Sequence, residues 1–328
     1  MASLVGAAPQ RNHPRPRAPS SRASSGKASP ASRPHQLPPE LNATNSKLRT
    51  TSGRPVRSVG LGGNRHVKQS ADLVSTAHDL HGVNYFFAYS LNDDEYGGFL
   101  DGLQLLCADP VVRADLFIAV GTMNFRSTEA ISAHVARCLR RLGTDYLDAF
   151  FLEYVQRGSD EGAAVDALRW MRGEGGLVMD ATKSDDGGGA ARASARAGGG
   201  GVTGPVRFLG CSTHDRDVGL RLLQSERHGG AGRSGKEGEG GEECLVDLLM
   251  ARYNMAHIRA EEELFPAALA RDIPVVAFTS TRWGSLETGH PQWTHHPPPT
   301  VADCVRFASH PDAVQVALRS THTLDRLP

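Results

Sequence analysis

The stretch Val135–Glu153 reads VARCLRRLGTDYLDAFFLE, and its hydrophobic period changes halfway along. Before Gly143 the apolar residues recur at steps of three and four, which predicts an amphipathic helix. After it, Leu147–Leu152 is a nearly continuous apolar run, which only a strand covered on both faces would bury. The run ends at Glu153, an ionisable group where a barrel strand would reach its C-terminal mouth. We therefore expect a parallel α/β fold with its function at that end.

Eight apolar, strand-like runs alternate with seven helical patterns along the chain. The predicted strands are Val59–Gly62, Asn84–Ala88, Leu116–Val120, Ala149–Leu152, Phe208–Ser212, Asp247–Tyr253, Val275–Thr279 and Ala313–Leu318. The predicted helices lie around Ala71–Leu80, Phe99–Leu106, Glu129–Leu142, Ala163–Arg172, Val218–Gln224, Glu261–Arg271 and Val301–Ala308. Strict alternation requires a parallel sheet, and eight such strands can close into a (β/α)8 TIM barrel without exposed edges. An open, doubly wound sheet is disfavoured, because no dinucleotide-binding glycine turn follows the first strand.

The overall charge gives no reason to expect nucleic acid or a membrane as a partner. The 328 residues carry 36 Lys and Arg against 36 Asp and Glu, so no net field attracts polyanions. No apolar run approaches the roughly 20 residues that span a bilayer, and we expect a soluble protein. The five cysteines lie far apart without the spacing of a metal site. They are predicted to be reduced core residues, with no metal bound.

Three low-complexity segments flank or interrupt the predicted barrel, which would occupy residues 58–328. Residues 1–57 are rich in Arg, Ser, Pro and Ala, which favours a disordered tail or a transit peptide for a plastid or mitochondrion; otherwise the protein would be cytoplasmic. Residues 183–204 and 226–243 are interpreted as glycine-rich loop insertions. After the last strand only Ser320–Pro328 remain, so we expect a barrel that lacks part of its last helix, through truncation or with a partner filling the gap.

Several motifs resemble, in order, those of the aldo-keto reductases. They are GVNYFFAYS at Gly82–Ser90, RADLFIAVGT at Arg113–Thr122, RRLGTDYLD at Arg140–Asp148, VRFLGCSTH at Val206–His214, RYN at Arg252–Asn254 and VVAFTS at Val275–Ser280. The resemblance covers Ser58 to about Arg326, and residues 251–308 are similar to a divergent, mostly bacterial branch. It implies a barrel that binds NADP(H) across its C-terminal mouth and transfers a hydride to a carbonyl group.

The residues that carry the chemistry in that family are altered in this sequence. The family uses a Tyr acid, a Lys paired with an Asp that lowers the pKa of the Tyr, and a His that orients the substrate. Phe87 stands at the Asp position, Gly121 at the Lys position and Glu153 at the His position, whereas Tyr96 is a counterpart of the Tyr. Because both members of the ion pair are exchanged, neither charge is left buried alone. We expect the ring of Phe87 to fill the space beside Gly121.

Glu153 offers a second acid beside Tyr96, and these two residues are the predicted catalytic groups. A carboxyl group at the closed end of an apolar strand would be desolvated and stay protonated, able to donate a hydrogen bond to a carbonyl oxygen. One branch of the family, which reduces conjugated double bonds, carries Glu at this position. The alternative is a solvated carboxylate that is paired with a nearby Arg.

The same resemblance assigns five residues to the binding of NADP(H). Phe278 matches the aromatic residue on which the family stacks the nicotinamide, and Ser212 with Thr213 replaces the Ser-Asn pair that holds the carboxamide. Arg282 and Arg319 lie where phosphate groups would be contacted, and an Arg donates charge-assisted hydrogen bonds to phosphate. For each Arg, a solvated loop charge is the alternative.

Two functions are left open by the sequence. The first is an NADP(H)-dependent oxidoreductase with a rebuilt acid, whose partner is a small carbonyl or enone substrate. The second is a catalytically inactive relative that binds a nucleotide or serves as an interaction scaffold, because a fold does not determine a function. The sequence alone leaves the substrate and the oligomeric state undetermined.

Overall fold

The computed structural model describes residues 46–66, 68–179, 204–226, 244–292, 296–321 and 323. Residues 1–45 of the predicted tail and almost all of both predicted glycine-rich insertions lie outside these ranges. What the sequence predicts for them therefore stays a prediction. Within the described ranges no helix is long and apolar enough to cross a membrane.

Eight parallel strands close into a barrel in which each strand pairs with its neighbours in chain order, and β8 pairs with β1. The strands are β1 (Val59–Gly62), β2 (Tyr85–Ala88), β3 (Phe117–Thr122), β4 (Leu147–Leu152), β5 (Val206–Thr213), β6 (Leu248–Arg252), β7 (Val275–Phe278) and β8 (Val314–Arg319). This confirms the predicted (β/α)8 fold. No strand end lies more than two residues from its predicted position.

Helices connect the strands, and most begin at a capping side chain. They are α1 (Ala71–Asp79), α2 (Asp93–Cys107), α3 (Pro110–Ala114), α4 (Thr128–Leu142), α5 (Ser159–Arg172), α6 (Arg216–Leu223), α7 (Leu264–Ala270), α8 (Ser285–Thr288) and α9 (Val301–Ala308), with a 3₁₀ turn at Arg259–Glu261. α2 begins well before its predicted start at Phe99. The side chain of Asn92 caps it by accepting from the Asp94 N–H at 3.1 Å. The three acidic residues that follow the cap lie where the helix dipole favours negative charge.

The barrel interior is filled by aromatic side chains that face small residues on neighbouring strands. Phe151 is fully buried, and a Cβ added at Gly210 on the adjacent strand would lie 2.8 Å from Cζ of its ring. Tyr85 stands in the same relation to Gly60, where an added Cβ would lie 2.6 Å from the ring. The glycines therefore make room for rings in the space that the strands enclose.

Residues 46–57 pack against the N-terminal end of the barrel, although the sequence analysis began the barrel at residue 58. Leu48 and Val56 are buried in the same apolar cluster as Tyr85 and Phe117, the first residues of β2 and β3. The Val56 N–H donates to the Leu48 carbonyl at 3.0 Å, so the segment forms a short hairpin under the strands. Leu48 and Val56 lie among polar residues in the sequence, so the composition of residues 46–57 predicted a part of the disordered tail.

The same end of the barrel holds a buried charge network at the start of β4. Asp148 is completely buried and contacts two guanidinium groups, that of Arg113 at 2.9 Å and that of Arg207 at 2.5 Å. Its carboxylate also accepts from the Ile118 N–H at 2.9 Å. These partners belong to α3, β5 and β3, so the carboxylate connects three elements at the N-terminal end of the barrel, which we call its floor.

All five cysteines are buried and free, which confirms that they are reduced core residues. Burial raises the pKa of the Cys107 thiol to about 11 and that of Cys138 to about 12. A thiol is a nucleophile only as its thiolate. These two cysteines therefore have a structural role.

Candidate active site

The C-terminal ends of β3 and β4 bring Glu153 into the mouth of the barrel. Gly121 on β3 pairs with Phe151 on β4, and the Glu153 N–H continues this ladder by donating to the Thr122 carbonyl at 2.8 Å. Side chains alternate along a strand, so Glu153 faces inward like Phe151. This is the position that the apolar run in the sequence predicts for it.

The carboxyl group of Glu153 occupies the space that a side chain at position 121 would need. A Cβ added at Gly121 would lie 2.6 Å from Cγ and 2.8 Å from Cδ of Glu153, and closer still to its Oε1. The prediction that Phe87 fills this space is wrong. The Phe87 ring instead contacts Tyr89 and Phe151, with centroids 4.5 and 5.5 Å away. The loss of a side chain at 121 is thus matched by Glu153, which folds into the gap.

Burial raises the pKa of Glu153 to about 8. Within the described chain no Lys or Arg forms an ion pair with it, so nothing offsets the cost of removing a carboxylate from water. The alternative of a solvated carboxylate paired with an Arg is therefore not what the structure shows. At neutral pH the group is mostly protonated and is a hydrogen-bond donor.

Two tyrosines lie beside this carboxyl group. Tyr96, in the first turn of α2, is buried against Gly63, where an added Cβ would lie 2.9 Å from its ring. Tyr89, just after β2, is half-buried, and its ring lies 3.1 Å from a Cβ added at Gly62. Desolvation is the main cause that raises the pKa of both phenols, and Glu153 raises both further once its carboxyl ionises. Both phenols therefore stay protonated.

Tyr89 is a member of this group that the sequence analysis missed. It lies in the motif Gly82–Ser90, where the resemblance to the aldo-keto reductases assigns a role to position 87 and none to Tyr89. The period-2 rule contained the missing signal, because Tyr85, Phe87 and Tyr89 share the inward face. Tyr89 and Tyr96 lie near enough to Glu153 for a charge on it to act on their phenols, and we call these three residues the acid wall.

Ser212 and Thr213, at the end of β5, hold the loop that follows Glu153. The Ser212 hydroxyl accepts from the Tyr154 N–H at 2.8 Å, and the Thr213 hydroxyl donates to the Val155 carbonyl at 2.8 Å. Tyr154 has a φ of 57°, which is an uncommon conformation for a residue other than glycine. Both predicted cofactor residues therefore already support the backbone beside Glu153. The Ser212 O–H is still able to donate.

Phe278 ends β7 at the same mouth, half-buried and inward-facing. The His214 ring makes an edge contact with it, with centroids 4.8 Å apart, and lies 5.3 Å from the ring of Tyr154. Desolvation lowers the pKa of His214, and the charges of Arg252 and His257 lower it further. The imidazole is therefore mostly neutral at neutral pH.

The two predicted phosphate-binding arginines lie in different environments. Arg282 is exposed on the loop after β7, in a left-handed conformation with φ 50°. Arg319, at the end of β8, is buried, contacts Glu287 at 3.5 Å and donates to the Thr281 hydroxyl at 3.2 Å. Arg282 is thus presented to solvent, whereas Arg319 is already engaged within the protein.

A group of basic side chains near Phe278 was only partly predicted from the sequence. Arg252 ends β6, pairs in register with Phe278, and shares the inward face of β6 with Met250. His257 lies just after it, with Nδ1 3.1 Å from the Asn254 side-chain oxygen. Desolvation lowers the pKa of His257, and Arg252 and Arg282 lower it further. We call the side of the mouth formed by His214, Arg252, His257 and Arg282 the cationic wall.

The described chain resembles solved aldo-keto reductases in its fold. An aldo-keto reductase from Bacillus halodurans in its holo form is 17% identical with a TM-score of 0.56, over 86% of this chain and 88% of that one. A reductase from Klebsiella pneumoniae in complex with NADPH is 15% identical with a TM-score of 0.55, over 85% and 86%. Another structure from that organism, with NADP and acetate, is 17% identical with a TM-score of 0.52, over 85% and 86%.

No protein-family model matches the sequence, and no curated protein is similar enough to match it. At these identities the solved structures show the fold alone. They confirm the aldo-keto reductase architecture that the motifs implied, and the roles of individual residues rest on the geometry described above.

Proposed function

We propose that this chain is an NADP(H)-dependent oxidoreductase that reduces a small enone, with Glu153 as the group that donates to the carbonyl oxygen. The proposal is carried by one observation: the Glu153 carboxyl fills the gap at Gly121, where burial raises its pKa to about 8. A carboxylic acid kept neutral in an apolar site is a strong hydrogen-bond donor for an oxygen that gains charge.

The acid wall suits an enone better than a saturated ketone. When a hydride adds to the β carbon of an enone, the electron pair of the double bond moves toward the carbonyl, and the oxygen becomes an enolate. Glu153 donates to this oxygen, and Tyr89 and Tyr96 are further neutral donors nearby. Glu153 can then transfer its proton to the enolate and regain one from water. No cation is needed at the position of Gly121 for these steps.

NADP(H), when bound, supplies or accepts the hydride. The residues present fit it in part: Phe278 offers an aromatic ring at the mouth, the Ser212 O–H is free to donate to a carboxamide, and Arg282 is exposed without a carboxylate in contact among the described residues. Arg319 is engaged by Glu287, so its contact with a phosphate would require that pair to open. The solved relatives from Klebsiella pneumoniae were crystallised with NADPH or NADP, which supports the same cofactor here.

A scaffold without catalysis is the second candidate, and the engagement of Arg319 by Glu287 favours it. Titration of NADPH into the protein, followed by nicotinamide fluorescence, separates the two. Saturable binding supports the oxidoreductase. Absence of binding would leave the scaffold as the better account.

The catalytic role of Glu153 is tested by oxidation of NADPH with trans-4-phenyl-3-buten-2-one, with the saturated ketone 4-phenyl-2-butanone as the comparison. The enone should react faster, and kcat should fall as the pH rises through about 8, because the carboxyl loses its proton there. Glu153→Gln keeps the shape but not the proton, and it should lower kcat by about 10²–10⁴. Tyr89→Phe and Tyr96→Phe should have smaller effects. Full activity of Glu153→Gln would refute the assignment.

A further inference from the structure

We infer that the cationic wall contains a subsite for the carboxylate of the substrate, formed by Arg252 with His214 and His257. The substrate class is then an enone that also carries a carboxylate. This inference rests on the proposed reaction for the carbonyl end of the substrate. The carboxylate subsite itself can be tested by binding alone.

Arg252 is placed as a ligand-binding residue would be. It is half-buried at the end of β6, on the inward face, and in register with Phe278 at the end of β7. In the part of the chain that the structure describes, no carboxylate lies within ion-pair distance of it. The acidic groups of the neighbouring loops are engaged elsewhere: Glu262 pairs with Arg216 and Arg259, and Glu287 pairs with Arg319.

A half-buried guanidinium without a carboxylate partner pays part of the cost of desolvation. An anion that binds to the guanidinium offsets this desolvation cost, because a charge-assisted hydrogen bond stabilises more than a neutral one. A planar guanidinium matches the two oxygens of a carboxylate. Arg252 therefore gains a partner when an acidic substrate enters the mouth.

The two histidines strengthen this subsite. His257 is anchored because its Nδ1 donates to the Asn254 side chain, while the Asn254 amide donates to the Thr279 carbonyl at 2.9 Å. His214 contacts Phe278 on one side and Tyr154 on the other. With Arg252 and Arg282 as their charged neighbours, both imidazoles are held mostly neutral. A bound carboxylate reverses this effect, so binding should be accompanied by proton uptake.

The position of the subsite gives the substrate a direction. Tyr154 directly follows Glu153 in the chain and contacts His214, which in turn contacts Phe278. Glu153 is therefore linked through Tyr154 and His214 to Phe278, with which Arg252 pairs in register. A substrate whose carbonyl lies at Glu153 would place its carboxylate at Arg252. A neutral enone would lack the second contact.

A phosphate group of the cofactor is the other anion that could occupy these residues. Arg282 suits such a phosphate better, because it is exposed on a loop in which Thr279, Arg282 and Trp283 all have positive φ. Arg252 lies deeper, beside Phe278. Affinity for NADPH and affinity for a carboxylate therefore have to be measured separately.

The binding test uses benzoate as the probe and benzamide as its neutral control, at low ionic strength. Benzoate should bind, should shift the imidazole signals of His214 and His257 in NMR spectra, and should bind more tightly as the pH falls from 8 to 6. Arg252→Gln should weaken benzoate roughly ten- to hundredfold. Arg252→Lys should recover part of the loss, and Arg259→Gln, an exposed arginine on the neighbouring 3₁₀ turn, should change nothing.

The turnover test compares benzoylacrylate with its methyl ester, which differ only in the charge of the carboxyl group. The acid should have the higher kcat/KM, and Arg252→Gln should lower the kcat/KM of the acid to about that of the ester. If neither compound is reduced, the proposed reaction fails, and the benzoate titration still decides on the subsite. Unchanged benzoate affinity in Arg252→Gln, or a loss of NADPH affinity as large as that of benzoate, would overturn the inference.

Discussion

Two carboxyl groups at opposite ends of β4 have opposite environments. Asp148, near its N-terminal end, contacts Arg113 and Arg207 and accepts a backbone N–H. Glu153, directly after its C-terminal end, has no cation in contact within the described chain and lies in the gap at Gly121. Two guanidinium groups compensate the first carboxyl, whereas burial raises the pKa of the second to about 8.

This difference separates a carboxyl group that holds the fold from one that is available for chemistry. A compensated carboxylate stabilises the elements that meet around it and has no capacity left for a ligand. An uncompensated one costs stability when it ionises, and a fold retains such a cost mainly where function requires it. The floor of the barrel therefore belongs to stability and the mouth to function, as is usual for this architecture.

The largest effect is expected at the floor, from Asp148→Asn. Removing this charge leaves the buried guanidinium of Arg113 and the half-buried guanidinium of Arg207 without their carboxylate, and the free energy of unfolding should fall by roughly 3–5 kcal/mol. Urea denaturation at pH 7 measures the loss. A variant that unfolds at the same urea concentration as the parent would show that the network contributes nothing and that the contrast along β4 is unfounded.

The next effect is expected at the mouth and depends on pH. The pKa of Glu153 is raised from about 4.5 in the unfolded chain to about 8 in the folded one, so the folded state holds a proton that the unfolded state releases. Stability should therefore fall by about 1.4 kcal/mol per pH unit between these values. Glu153→Gln removes this loss. Its free energy of unfolding should equal that of the parent near pH 4 and exceed it by roughly 4 kcal/mol at pH 8.

The control for this prediction is Glu174→Gln, which changes an exposed carboxylate just after α5. Its stability should follow that of the parent at every pH. If Glu153→Gln gave no alkaline advantage over the parent, the Glu153 carboxyl would not be desolvated, and its role as a neutral donor would fall with it.

The fold was readable from the sequence because it depends on hydrophobic period, which is a local property. The change of period across Val135–Glu153 predicted both a helix and a buried strand, and the structure has α4 and β4 there. The start of α2 was missed, because Asp93–Glu95 resemble a polar loop unless the capping role of Asn92 is recognised. Local chemistry, once noticed, would have corrected that boundary.

The site was only partly readable, because it depends on which side chains meet across strands. Glu153 was found from its position at the end of an apolar run. The sequence did not predict that the Glu153 side chain fills the space at Gly121, because Phe87 was an equally plausible occupant of that space. Arg252 lies in the motif Arg252–Asn254, but the sequence does not show that the carboxylates near it in space pair with other arginines.

A third prediction tests the fit of Glu153 at Gly121 directly. The added Cβ in Gly121→Ala would overlap the Glu153 side chain, which must then move toward solvent. Gly121→Ala should therefore cost stability in the parent but much less in a Glu153→Ala background, with a coupling of roughly 0.5–3 kcal/mol. A double-mutant cycle in urea measures it at pH 4, below both pKa values of Glu153, where the carboxyl holds its proton in the folded state and mostly also in the unfolded state.

The displacement of Glu153 in Gly121→Ala should also change the proton binding of its carboxyl. Once the carboxyl is displaced into water, its pKa should return toward the ordinary range, and the alkaline loss of stability should shrink in Gly121→Ala. Strictly additive costs would contradict the contact. An unaltered pH dependence would show that something other than enclosure beside Gly121 raises the pKa of Glu153.

The smallest effect is expected where charges pair at the surface. Arg141 on α4 contacts Asp93 and Asp101 on α2, both at 2.6 Å, but both carboxylates are largely exposed. Solvent screens such pairs, and Asp101→Asn should cost at most about 1 kcal/mol in urea denaturation, less at high salt. The ion pair that this variant removes is about as short as those of Asp148, but its carboxylate is exposed to solvent. A cost as large as that of Asp148→Asn would mean that burial does not set the strength of these contacts, and the same burial argument would then no longer explain why Glu153 holds its proton at neutral pH.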